Sequence, residues 1–160
     1  MAAERKEIVY IPNDEFCTTV RQMLEEGKDV DFTVTGNSMW PLLKSRRDRV
    51  VLTLCKPQDI RKGDVVLFEA LPSKFLLHRV TKLKENAFET TGDFNTFRDG
   101  VFPKDCVIGK AVRIIRKGKC YGVNSFLMRF YSALWRSLYF ARKPLVKLLL
   151  WVSRQKSKFN

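Results

Sequence analysis

Over the first 123 residues the apolar positions come in short runs, each closed by charged, glycine or proline positions. Phe16, Val20, Met23 and Leu24 fall on one face at helical spacing, with Asn13 placed to cap the start and Gly27 to stop the end. Strand patterns follow at 32–35, 50–54, 64–69, 75–81, 87–91, 107–115 and 120–123. Turns are expected at Pro72-Ser73, at Lys84-Glu85-Asn86 and at Gly118, and the stretch 92–100 reads as polar and irregular. One helix and six or seven short strands predict a compact α+β domain that is mainly β.

From Ser125 the period becomes helical. Arg129, Arg136 and Lys143 recur every seven residues, with Lys147 and Arg154 near the same stripe, and aromatic and aliphatic residues lie between them. Pro144 is expected to kink or restart this helix. The charge changes at about the same place. Residues 1–112 hold 18 Lys+Arg against 17 Asp+Glu, whereas 113–160 hold 12 Lys+Arg and no acid. The chain therefore divides into a body, 1–123, and an amphipathic basic tail, 124–160. Such a tail suits an interfacial helix on an anionic membrane, with Arg129, Trp135, Arg136, Lys143 and Lys147 making contact. The competing reading packs the apolar face on the body or in a dimer. Nucleic acid ranks third, because 145–152 is too apolar for a solvated binding arm. The charged N-terminus reads as neither a signal peptide nor an anchor, and no run of 18 uncharged apolar residues suggests a spanning helix. The expected location is peripheral to a membrane, on its cytoplasmic side.

Candidate chemistry is sparse. Cys17, Cys55, Cys106 and Cys120 are far apart and there is a single histidine, so neither a metal site nor a cofactor is expected. Ser38 lies in Gly36-Asn37-Ser38-Met39-Trp40-Pro41, where a glycine permits a tight path after a strand. A serine so placed can expose its Oγ and set its own N–H beside an oxyanion. By itself such a segment is usually only a turn. His78 sits in an apolar strand pattern with Leu76 and Val80 on its side. Serine needs a base that takes protons near neutral pH, and imidazole does so. Asp93 and Asp99 crowd the following polar loop, and one of them can orient the imidazole.

Taken in order, Gly36-x-Ser38-Met39-x-Pro41, Lys62-Gly63-Asp64-Val65-Val66, His78-Arg79-Val80 and Gly92-Asp93-x-Asn95 resemble the signal peptidase and LexA-like serine peptidase superfamily. The likeness spans about residues 30–115, and Ser38 and His78 stand 40 positions apart. His-Arg at the base position is similar to the archaeal, endoplasmic-reticulum and sporulation-type signal peptidases. The resemblance implies a β-rich catalytic domain with Ser38 as nucleophile, His78 as general base and Asp99 as the triad acid. It leaves Asp93 as the alternative acid or as a loop-orienting residue, and it gives Asp64 a structural role. The Ser38 N–H is the expected oxyanion donor, with Asn37 a candidate for the second, since Gly36 stands where some members carry a hydroxyl. The implied activity is cleavage of signal or leader peptides from precursor proteins, after small residues, at a membrane surface. Two rivals remain. One is a self-cleaving LexA-like regulator, disfavoured by the short stretch before Ser38 and the lack of an Ala-Gly dipeptide. The other is an inactive membrane-associated module of the same fold.

Overall fold

The computed structural model describes residues 13–123, 125–137 and 144. Helix α1 (Asn13–Glu25) buries Cys17, Val20 and Leu24 and lays Phe16 and Met23 beside them. It ends in a Schellman motif. Gly27, at φ +78°, donates to the Leu24 carbonyl, and Lys28 donates to that of Met23.

Eight strands form one antiparallel sheet: β1 (Val30–Thr33), β2 (Asp48–Leu54), β3 (Val65–Leu71), β4 (Lys74–Leu83), β5 (Ala87–Thr91), β6 (Gly100–Pro103), β7 (Val107–Arg116) and β8 (Lys119–Gly122). The order is β1-β2-β7-β3-β4-β5-β6. Strand β7 carries β2 along one edge, and β3 and then β8 along the other. A second helix, α2 (Phe126–Ser137), follows β8. The mainly-β expectation therefore holds, with one strand more than the upper count.

The additional strand is β6. It ends at Pro103, which has no N–H to give a ladder, and it occupies the edge of the sheet beside β5 alone. Strand β1 also differs from its expected span of 32–35. It runs from Val30 to Thr33, and Val34 leaves the regular ladder, with its N–H on the Asp48 carbonyl and its carbonyl taking the Arg46 N–H.

Alternation along β3 separates two cores. Val65 and Leu67 join the cluster under α1 with Val50, Leu52, Ile108 and Ile114. Val66 and Phe68 face the other way, into a cluster with Val80, Phe88 and Val107. The segment leaving the Ser38 turn buries Met39, Leu42 and Leu43 in the first cluster.

Asp48 ties that segment down. Its fully buried carboxylate accepts from Arg47 at 2.7 and 2.8 Å, from Arg116 at 2.9 and 3.1 Å, and from the Lys44 N–H at 2.9 Å. Arg116 also donates to the Leu42 carbonyl at 2.6 Å. Burial alone would raise the Asp48 pKa, but the hydrogen bonds from Arg47, Arg116 and Lys44 overcome it and hold the group well below the ordinary carboxylate range.

A depressed folded-state pKa contributes stability that is present above the unfolded value of about 4 and fades as pH falls below it. We expect the urea midpoint to fall with pH below about 4, and Asp48→Asn to cost about 3 kcal/mol at neutral pH with a flatter acid limb. Parallel acid limbs for the two proteins would show that Asp48 is not the group responsible.

Candidate active site

Strand β4 places two hydrogen-bonded pairs back to back, His78 with Asp99 and Arg79 with Asp93. Consecutive side chains on a strand point to opposite faces, so His78 and Arg79 look in opposite directions. Thr90, cross-strand from Val80, lies on the His78 face, and Thr91, cross-strand from Arg79, lies on the other.

On the first face, His78 Nδ1 is 2.7 Å from Asp99 Oδ2, with side-chain exposures of 5% and 6%. The same carboxylate oxygen accepts from Thr90 Oγ1 at 2.9 Å. That oxygen already receives one hydroxyl proton, so the consistent tautomer has Nδ1–H donating to it, with Nε2 left as the acceptor. Strand β6 is what delivers Asp99. The Asp99 N–H bonds the Thr90 carbonyl at 3.0 Å, and the ladder from Gly100 onward keeps it against β5.

On the second face, Arg79 is fully buried and holds Asp93 through two parallel bonds of 2.7 Å. It also donates to the Gly63 carbonyl at 2.9 Å. Burial would lower the guanidinium pKa, but the charge and hydrogen bonds of Asp93, with smaller help from Tyr131 and Asp64, together overcome it and raise that pKa. Helix α2 closes over the pair. Trp135 Nε1 donates to the Asp93 carbonyl at 2.7 Å, and the Tyr131 ring lies 6.0 Å from the guanidinium carbon. Asp93, open in the sequence as an alternative acid, thus has both carboxylate oxygens engaged by Arg79 on the face away from His78.

Ser38 reaches this region through the loop that Asp93 anchors. Its carbonyl accepts the Phe94 N–H at 2.8 Å, and Trp40 packs edge-on against Phe94 at 5.4 Å. A Cβ on Gly92 would come within 2.6 Å of the Ser38 carbonyl, so the two backbones meet only because position 92 is glycine. Extending the β4–β5 register by one residue sets Gly92 opposite His78. The Ser38 side therefore abuts the residue facing the imidazole, although no hydrogen bond joins Ser38 to His78 among the described residues. Ser38 is half-buried and its N–H enters no backbone hydrogen bond among the described residues. Asn37 is exposed, and its carbonyl closes the turn by accepting the Trp40 N–H.

Thr90, Gly92 and Arg79 are the supporting residues that sequence reasoning did not single out for a site role. Arg79 had a signal, as the residue after His78 in the resemblance. Thr90 had none. Asp64 accepts the Arg61 N–H at 2.9 Å, shaping the turn into β3.

Among the five residues expected to meet a membrane, Trp135 needs correction. It is buried on the body and donates to Asp93, because α2 packs inward through Met128, Tyr131 and Trp135. Arg129 is exposed. Lys143, Lys147 and the side chain of Arg136 lie outside the described residues. Among the described residues no helix is long and apolar enough to cross a membrane, and no three His, Cys, Asp or Glu side chains are grouped to hold a metal. Burial pushes the Cys55 and Cys106 thiols up to about 11, which leaves them poor nucleophiles. A cavity of about 590 Å³ opens beside Gly63 and Arg129, and none of Ser38, His78 or Asp99 lines it. Comparison with known proteins finds no matching family model and no matching curated protein.

Removing one partner of the buried pair strands the other. Asp93→Asn is expected to cost about 3–5 kcal/mol, whereas Arg79→Met with Asp93→Leu is expected to cost much less than the sum of the single changes. Trp135→Phe keeps a ring and loses the donor, for about 1 kcal/mol. Urea denaturation reads all three, and a cost for Asp93→Asn no greater than that of a surface change would deny the pair its anchoring role.

Proposed function

We propose that the protein is a serine endopeptidase of the signal-peptidase type, cutting leader or signal peptides from precursor chains. The observation that carries this reading is the buried His78–Asp99 contact, supported by Thr90, on the strand opposite the Gly92 backbone that Ser38 abuts. The ordered resemblance of the segments around Ser38, Lys62, His78 and Gly92 supports the same reading and names the substrate class: an extended peptide with small residues before the cut.

In this reading Nε2 of His78 takes the Ser38 proton as Oγ attacks the scissile carbonyl carbon. Asp99 holds the ring in the productive tautomer and balances the imidazolium charge. The Ser38 N–H stabilises the oxyanion, with Asn37 the candidate second donor. Collapse breaks the C–N bond, and the imidazolium returns its proton to the departing amine. Water, deprotonated by His78, then attacks the acyl ester, and as the ester bond breaks the imidazolium returns that proton to Ser38 Oγ, restoring the starting state. The chain needs no cofactor for these steps.

Cleavage of a panel of leader-like peptides, followed by mass spectrometry, tests the assignment. Ser38→Ala and His78→Ala are each expected to lower kcat/KM by about 10³ or more, and Asp99→Asn by about 10²–10⁴. Gly92→Ala, with its fold checked by circular dichroism, should lower kcat by displacing Ser38. Cleavage that persists in Ser38→Ala would refute the mechanism. Failure of the natural chain both to cleave and to be phosphonylated by a serine-reactive phosphonate would favour a binding module instead.

A further inference from the structure

Helix α2 is apolar on two sides, and the body covers only one. Met128, Tyr131 and Trp135 face inward. Phe126, Leu127, Phe130 and Leu134 point away from the body at 82%, 75%, 61% and 48% exposure, with the Phe126 and Phe130 rings stacked at 6.5 Å. A contiguous face of this kind calls for a partner.

A basic cavity adjoins it. Arg129, on the flank of α2 between its two faces, lines the cavity of about 590 Å³ with Arg61, Lys62 and Lys110. Two acids share the lining, and one of these carboxylates is already in use: Asp64 Oδ2 accepts the Arg61 N–H at 2.9 Å. Lys110 Nζ rests on the Asp59 carbonyl at 3.3 Å. Four cations thus stand against two acids, beside an apolar face that none of the described residues covers.

We propose that the outward face of α2 and this cavity together form a docking surface for an anionic lipid membrane. The apolar side chains enter the acyl boundary while Arg129, Arg61, Lys62 and Lys110 meet headgroup phosphates. Charge complementarity selects this occupant. The surface carries Arg61, Lys62, Lys110 and Arg129 against Asp59 and Asp64, so a second copy apposed through the same face brings like charge to it. Nucleic acid supplies phosphates but no apolar phase for Leu127 and Leu134. The inference is independent of the peptidase reading, and its test needs no catalysis.

The test is co-sedimentation of the full chain with vesicles of phosphatidylcholine containing phosphatidylglycerol, against vesicles of phosphatidylcholine alone. Binding is expected only to the first, and to weaken as salt is raised. Leu127→Glu and Phe130→Glu should each lower partitioning at least about tenfold, and Lys62→Gln with Arg129→Gln several-fold, with near-UV circular dichroism unchanged. Equal binding to both vesicles, no binding, or undiminished binding by Phe130→Glu would overturn the proposal. So would self-association in place of vesicle binding, or nucleic acid displacing the chain from vesicles.

Discussion

The bidentate pair between Arg79 and Asp93 is the interaction on which the site depends. A guanidinium with no solvent exposure is tolerable only if its charge and its donors are met, and here a carboxylate, the Gly63 carbonyl and an aromatic ring meet them. The geometric consequence matters more than the energy. Asp93 fixes the loop after β5, and that loop carries Gly92, which receives Ser38, and leads to Asp99, which receives His78. Strand β4 lets this happen without interference. Because His78 and Arg79 occupy opposite faces, the carboxylate that holds the loop does not compete for the imidazole.

Asp48 plays the matching part on the other side of Ser38. The turn residues and the strand that follows are joined by its bonds to Lys44, Arg47 and Arg116, so the segment between β1 and β2 is tied down where it enters β2. Ser38 is thus held by two buried carboxylates, Asp48 after it in the chain and Asp93 across from it. Neither touches its side chain.

Much of this was legible in the residue pattern. α1 read clearly because its apolar positions share one helical face and Gly27 supplies a left-handed stop. Ser38 and His78 were legible through the order of short motifs, His78 also as the single histidine, and Asp99 only as what the resemblance implies. Strand β6 was not visible, because a four-residue edge strand containing Pro103 has neither a clear alternation nor a full set of donors. The resemblance favoured Asp99 as the partner of His78, but without β6 the residue pattern left Asp93 open as the alternative. The choice follows from a ladder that places one beside Thr90 and from an arginine that takes the other. Trp135 was misread for a related reason. A helix that is apolar on two sides does not show which of them is the inner one until the surface it lies on is known.

The placement of Trp135 also bears on where the molecule can be divided. Composition and charge mark a border near residue 124, and a shortened form ending there would look like a clean, self-sufficient body. It would lack the indole that donates to the Asp93 carbonyl and the ring beside Arg79, and Met128 would no longer cover the first core. The basic appendage is in this respect a structural lining of the loop that bears the site. A trimmed form would measure a loosened loop as much as the loss of a tail.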